Sequence, residues 1–348
     1  MADRLSCLRA LFRRPWVRSG FGGGVLGVGL SVLPVFASIS APSPKTRFFP
    51  CRVVLIPGAV SGAEGGGSGF FIRKEDVFKE LGQGLEDALG AKPQVLNLPP
   101  DLGVASRGLF LRESYRRRRQ TSGQENSHHS EVRKDSALAP TAERPEIWVA
   151  HSQAGLDARY ALAEDPSLRQ GVRGLITLAT PHQGTPVSDR LLRGGVWMEF
   201  VSWGLRTFFD YDLRQLDFLR DVSSAVLSRS EVQKRLYRPS SGDLQSHAEG
   251  PRVFSVTFSC RAGRCSWPFR VLEFVSGVTE VTGTRGDGLV PRESQAFGES
   301  LGHFELDHLE QVGGALDASG VIERRRFHDA LVGRLKEICL QSSVLGSS

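Results

Sequence analysis

The sequence predicts an α/β domain with a mostly parallel central sheet and helices on both faces. Short apolar runs that stop abruptly at turn residues read as buried strands, an apolar face at helical spacing lies between the first two, and the result is strand, helix, strand. Sheets of this kind gather their functional loops at the carboxyl ends of the strands.

Residues 1–40 read as a targeting segment, in which Arg4, Arg9, Arg13, Arg14 and Arg18 precede an apolar, glycine-rich run from Phe21 to Ile39. A signal peptide with a long basic front, a signal anchor, and a transit peptide for a mitochondrion or other organelle all fit. Spanning a bilayer takes about 20 apolar residues. This run carries many glycines and Pro34, which weakens the anchor, whereas Ser38 and Ser40 suit cleavage before Ala41. Entry to the secretory route, as a secreted or membrane-associated protein, is the favoured reading.

Residues 41–348 are then expected to form one domain. The chain has 348 residues, 40 % hydrophobic and 24 % charged, which is ordinary globular composition with enough length for one large core. Its net charge of +6 invites a nucleic-acid reading. Yet seven of the 44 Lys and Arg and only one of the 38 acids lie in residues 1–50, leaving 37 of each sign beyond. The rest of the chain is neutral, which argues against a phosphate-binding surface. Beyond Cys7 in the leader, Cys51, Cys260, Cys265 and Cys339 permit two disulfides. Cys260 and Cys265 flank a short loop and suit pairing in an oxidising compartment; a metal site is less favoured because no second close pair or histidine partner accompanies them, and connectivity stays open.

The first strand is Arg52–Ile56, ending at Pro57-Gly58-Ala59, where a glycine lets the backbone bend close to a ligand. Gly62–Gly69 reads as a connector, because it lacks the Lys-Ser/Thr ending of a phosphate-binding loop. Glu75–Leu89 is predicted helical from the face made by Val77, Phe78, Leu81, Leu85 and Leu89, and Pro93–Leu98 is the next strand. A helix over Gly108–Arg119 ends in four arginines that suit either anionic lipid head groups or, more commonly, a solvated face. The polar stretch 120–143 is expected to be disordered, since it buries too little apolar surface to offset ordering entropy.

Next, Trp148-Val149-Ala150-His151-Ser152-Gln153-Ala154-Gly155 is an apolar run that stops at a serine between small residues. That is the local chemistry of a nucleophile elbow, where a strand turns so sharply into a helix that only small neighbours two residues either side avoid collision. Ala150 and Ala154 take those places. Glycine is usual at both, and the methyl of Ala154 is expected to displace the helix slightly. The competing reading is a plain strand-to-helix turn with Ser152 as N-cap.

Gly174–Leu178 and Arg252–Ser259 read as further strands, and between them residues 186–250 carry Trp197, Phe200, Trp203, Phe208, Phe209, Tyr211 and other large apolar groups, too many for an ordinary loop. They are expected to form a helical cap over the carboxyl edge of the sheet, or to pack partly as core.

A reactive serine needs a base within hydrogen-bond reach and an acid to orient that base. Asp287 sits between Gly286 and Gly288, which allow a tight turn that aims a carboxylate inward, although a solvated turn aspartate would look similar. His308 follows 21 residues later. His303 is the reserve; His151, beside the serine, is expected to point elsewhere, and His182 lies too early. Oxyanion donors are expected from the backbone amides of Ala59 and Gln153.

With these pieces in order, the chain resembles the bacterial secreted triacylglycerol lipases of the α/β-hydrolase superfamily. Ala150–Tyr160 is similar to their serine segment, Leu178–Thr185 to the Thr-Pro-His-x-Gly turn after the next strand, and Gly286–Val290 and His308–Val312 to the segments bearing the acid and the histidine. The likeness covers Arg52 to Val312 with gaps. It implies the α/β-hydrolase fold, Ser152 as nucleophile, Asp287 as acid, His308 as base, and the amides of Ala59 and Gln153 as oxyanion hole. Pro57 departs from the usual histidine. Many relatives hold a calcium near the catalytic histidine; Glu310 at the matching place, with no obvious second aspartate in 266–274, gives no ground to expect it, nor any other metal or cofactor. The expected activity is serine ester hydrolysis of a lipid, met at a membrane or lipid-droplet surface, with no nucleic-acid partner and no oligomeric state implied. The alternatives are an acyltransferase with the same triad and a catalytically silent fold that binds lipid or protein.

Overall fold

The computed structural model describes residues 49–58, 77–99, 102–129, 144–194, 199, 218–223, 251–261, 265, 286–313 and 318–344. The chain divides into two units, Met1–Pro44 and Lys45–Ser348, and every described residue belongs to the second. The leader, Gly62–Gly69 and most of 186–250 lie outside the described residues.

Six strands form one sheet: β1 (Arg52–Ile56), β2 (Gln94–Val95), β3 (Glu146–His151), β4 (Val172–Leu178), β5 (Arg252–Phe258) and β6 (Glu299–Phe304). Their order is β2-β1-β3-β4-β5-β6, and all neighbours run parallel. The chain leaves β1 toward one edge, then returns across it to place β3 on the other side. The connections therefore diverge at the carboxyl ends of β1 and β3 and open a crevice there.

The helices are α1 (Lys79–Leu89), α2 (Val104–His129), α3 (Ala154–Glu164), α4 (Pro166–Gly171), α5 (Pro186–Leu192), α6 (Phe218–Asp221), α7 (Arg292–Gln295) and α8 (Ala318–Val344). Alternation along the strands splits the core into two layers. Val53, Leu55, Ile147, Val149, Ile176, Phe254 and Val256 face Leu81 and Leu85 of α1 and Phe327, Leu331, Leu335 and Ile338 of α8. Val54, Ile56, Trp148, Ala150 and Leu175 face Leu111 and Tyr115 of α2, Ala154, Ala158 and Ala161 of α3, and Leu168 of α4. Strands buried on both faces read as continuous apolar runs, which is why β1, β3 and β4 are visible in the sequence.

Several boundaries differ from expectation. Helix α1 starts at Lys79; Val77 and Phe78 are buried ahead of it, and Phe78 takes a left-handed φ of 64°. Only Gln94 and Val95 pair with β1, so the strand expected at 93–98 shrinks to two residues. Helix α2 begins at Val104, capped by Asp221 of α6, whose Oδ2 accepts from the Val104 N–H at 2.6 Å, and runs on to His129. It thus enters the stretch expected to be disordered, whose remainder, 130–143, lies outside the described residues. The arginine run is not simply solvated. Arg116 pairs with Asp165, Arg117 with Glu113 and Arg118 with the buried Glu146, while Arg119 donates to Tyr115. Strand β6 and helix α8 have no counterpart in the sequence reading.

Two disulfides form. Cys51–Cys339 ties the start of β1 to α8, and Cys260–Cys265 closes the loop after β5. Among the described residues no helix is long and apolar enough to cross a membrane.

Cys51–Cys339 closes a loop with a sequence separation of 288 residues. Long loops lose the most unfolded-state freedom, so replacing both cysteines with alanine is expected to cost about 2–5 kcal/mol. Urea unfolding measures this; an unchanged midpoint and slope would show that the bond contributes nothing.

Candidate active site

The crevice is organised around Ser152. β3 ends at His151 and Ser152 adopts φ 57°, a left-handed conformation that a side chain disfavours, before α3 begins. The turn is held because the Ser152 N–H donates to the Leu178 carbonyl of β4 at 2.8 Å and the Ser152 carbonyl accepts from the Gly155 N–H at 3.1 Å. Its neighbours are crowded. A Cβ added at Gly58 would lie 2.9 Å from Ser152 Cβ and 3.1 Å from the His151 carbonyl oxygen. One added at Gly155 would collide with Thr180. Ala154, where glycine is usual, is accommodated. Its methyl is fully buried among Ala150, Ala158 and their neighbours, and the position that must be glycine is the next one, Gly155.

Ser152 Oγ lies 2.9 Å from His308 Nε2, and His308 Nδ1 lies 2.8 Å from Asp287 Oδ2. Asp287 is fully buried, so the reading of a solvated turn aspartate falls. Gly288 has φ 94°, and a side chain at Gly286 would meet the Val290 carbonyl; both glycines are needed to close the turn. The Leu289 and Val290 N–H groups donate to Asp287 Oδ1, at 3.1 and 2.9 Å. Burial alone would raise the pKa of Asp287, but the charge and hydrogen bond of His308, the Val290 N–H and the Gln311 amide outweigh it and hold the carboxyl below its ordinary value. An ionised carboxylate thus faces the ring.

The other histidines are placed differently. His303 bonds Thr257 and Ser259, at 3.1 and 3.0 Å, and cannot serve as reserve base. His182 accepts from Arg159 at Nδ1, 2.9 Å, and donates to the Thr177 hydroxyl at 3.1 Å; burial, with the Arg159 charge, keeps it neutral and structural. His151 does not point away. Its ring centroid is 4.7 Å from that of His308, and its Nε2 lies 3.1 Å from the His308 carbonyl oxygen.

Of the expected oxyanion donors, Ala59 lies outside the described residues. Gln153 stands at the start of α3, where backbone N–H groups have no acceptor within the helix. A link missed in the sequence joins the two loops. Arg107 of α2, fully buried, donates to Asp157 Oδ2 of α3 at 2.7 Å, to the Pro99 carbonyl at 2.7 Å and to the Pro57 carbonyl at 3.3 Å. It ties the β1 loop to the helix behind Ser152. Nothing in local pattern marks Arg107 as buried; only three-dimensional partners do. Among the described residues no group of three or more His, Cys, Asp or Glu could hold a metal ion.

Chemically, a hydroxyl donating to an imidazole that a carboxylate orients is the arrangement that makes serine nucleophilic. No protein-family model matches the chain, and no curated protein matches it in sequence. Solved structures do. The metagenomic carboxyl esterase MGS0156 is 15 % identical, over 86 % of this chain and 80 % of its own, with a TM-score of 0.52. This chain has the α/β-hydrolase fold. Other similar structures are the mature Bacillus licheniformis lipase BlEst2, 16 % identical over 85 % of this chain and 95 % of its own at a TM-score of 0.47, and the Staphylococcus hyicus lipase, 15 % identical over 87 % and 100 % at 0.47. In an α/β-hydrolase fold, the strand-to-helix turn at Ser152 and the loops after β5 and β6 meet at one edge of the sheet, which accounts for groups so distant in sequence lying together.

Asp157 supplies a test of the buried link. Burial raises its pKa, only partly offset by Arg107, to about 7. A folded-state value above the unfolded one stabilises the fold at low pH, and that contribution is lost as pH rises from about 4 through about 7. Relative to Asp157→Asn, the natural protein is expected to lose unfolding free energy across that window in denaturant titrations. Parallel pH curves would refute a titrating carboxyl at this site.

Proposed function

We propose that the protein is a serine ester hydrolase that cleaves carboxylic esters of lipids through an acyl-enzyme. The observation that carries this reading is the unbroken hydrogen-bond line from Ser152 through His308 to Asp287. In this reading Ser152 Oγ attacks the acyl carbonyl while His308 Nε2 takes its proton. The tetrahedral oxyanion forms against the backbone amides of Ala59 and Gln153. His308 then returns the proton to the departing alcohol, and a water activated in the same way releases the acid. Asp287, ionised and fixed by two backbone N–H groups, stabilises the imidazolium formed in both halves.

The aromatic-rich segment 186–250 supports an apolar acyl substrate, reached at a membrane or lipid-droplet surface beneath a cap. Its described parts are fastened to one another and, through Asp221, which accepts from the Val104 N–H of α2, and Thr185 just ahead of the segment, to the body. Thr185 donates to the Leu289 carbonyl beside Asp287, Ser188 to the Leu219 carbonyl, and Ser223 to Asp189 at 2.6 Å. The two disulfides support maturation in an oxidising compartment, and with it passage through the secretory route.

A fluorophosphonate probe tests the reading: the natural protein is expected to label and Ser152→Ala not to. Asp287→Asn, which leaves the imidazole in the wrong tautomer, is expected to lower kcat about 10⁴-fold. A panel of p-nitrophenyl esters, with and without detergent interfaces, reads the acyl preference, with longer chains favoured. A folded protein that stays unlabelled and hydrolyses none of the esters would overturn the proposal.

A further inference from the structure

Gln311, buried and three residues beyond the proposed base, closes a hydrogen-bonded ring around it. Its Nε2 donates to Asp287 Oδ2 at 3.0 Å, and its Oε1 lies 3.1 Å from His151 Nε2. That nitrogen is also 3.1 Å from the His308 carbonyl oxygen. Both partners of His151 Nε2 are oxygens, so the nitrogen must carry the proton. Nδ1 is then bare, and it is buried without a hydrogen-bond partner among the described residues. Reversing the Gln311 amide would set oxygen against carboxylate and N–H against N–H, so its orientation is fixed as well. From Asp287 the ring runs through the Gln311 amide, the His151 imidazole and the His308 backbone, then returns through the His308 side chain to Asp287.

We propose that Gln311 and His151 are positioning residues for the acid–base pair, with the Gln311 amide orienting the Asp287 carboxylate and selecting the one tautomer of His151 that can hold His308 in place. This inference rests on His308 acting as general base. Asp287 Oδ1 is already fixed by two backbone donors, and Oδ2 is shared between His308 and Gln311. Without the amide, Oδ2 keeps only the His308 hydrogen bond. His308 is likewise gripped at three points, at Nδ1 by the Asp287 carboxylate, at its N–H by the Asp287 carbonyl and at its own carbonyl by His151, which leaves Nε2 aimed at Ser152.

The neutrality of His151 matters because the two rings touch. A charged His151 would oppose the imidazolium that must form on His308. The groups facing it are His308, Asp287, Gln311 and the edge of Phe78. Burial, followed by the His308 charge, holds its pKa down to about 3, so it stays uncharged wherever an ester hydrolase of this kind would work.

The test uses the full chain and two variants. Gln311→Glu keeps an acceptor for His151 but turns a carboxyl toward Asp287; the added negative charge is expected to move the acidic limb of kcat/KM upward by about one pH unit. Gln311→Met removes both bonds at similar volume. It is expected to lower kcat about 10- to 100-fold, as with residues that orient metal-bound histidines, while KM stays within about twofold. Nitrogen-15 spectra of the natural protein should show His151 protonated at Nε2 and untitrated from about pH 4 to pH 8. A merely structural Gln311 would lower the midpoint of unfolding and leave kcat of the folded Gln311→Met variant within about twofold of the natural protein. An unchanged kcat in folded Gln311→Met, or a His151 that titrates or carries its proton on Nδ1, overturns the proposal. Failure of the hydrolase reading looks different: the natural protein would not react with fluorophosphonate, while the His151 spectrum would still decide whether the ring exists.

Discussion

The backbone of Ser152 is the constraint on which the rest depends. A residue with a side chain is held in a left-handed conformation, which costs of order 1–3 kcal/mol and persists only where surroundings over-determine it. Here they do. The hydrogen bond to Leu178, the close approach of Gly58 and the absence of a side chain at Gly155 all fix the turn, and they come from three elements, the end of β4, the loop after β1 and the first turn of α3. The hydroxyl is pushed out of the sheet edge into the crevice where connections diverge. Only there can the loops bearing Asp287 and His308 reach it.

Around this turn the polar interior is linked by buried hydrogen-bond chains, of which the one through Gln311 closes on itself. Arg107 joins Asp157 to the Pro57 and Pro99 carbonyls, His182 joins Arg159 to Thr177, and Gln311 joins Asp287 to His151. A buried polar group without a partner costs about 1–3 kcal/mol, so each of these chains resists rearrangement. Three imidazoles near the site take three parts through environment alone. His182 and His151 are buried and kept neutral, whereas His308 alone faces both a carboxylate and a hydroxyl.

Much of this was legible in the sequence, for physical reasons. Strands buried on both faces are continuous apolar runs, so β1, β3 and β4 stand out. The segment around Ser152 reads because an elbow tolerates only small neighbours, and Asp287 reads because its turn needs glycines. Other parts were hidden. Strand β6, Glu299–Phe304, is half exposed with mixed polarity, and its burial alternates too weakly to signal a strand. Helix α8 has Phe327, Leu331, Leu335 and Ile338 on its inner face, but Val321, Ile322 and Leu340 lie exposed and blur the stripe. Arg107 and Gln311 look like surface residues in sequence; their burial is paid for by partners up to some hundred and sixty positions away. That Gly155 must stay bare was also hidden, because it depends on where Thr180 sits.

The Cys51–Cys339 bond has a consequence of a different kind. By joining the first strand to the last helix it turns nearly the whole body into a covalent circle. A protease that cuts once between those cysteines opens the circle without releasing a fragment, and the two halves stay tethered and free to reassociate. In surroundings rich in proteases, such a molecule survives its first wound.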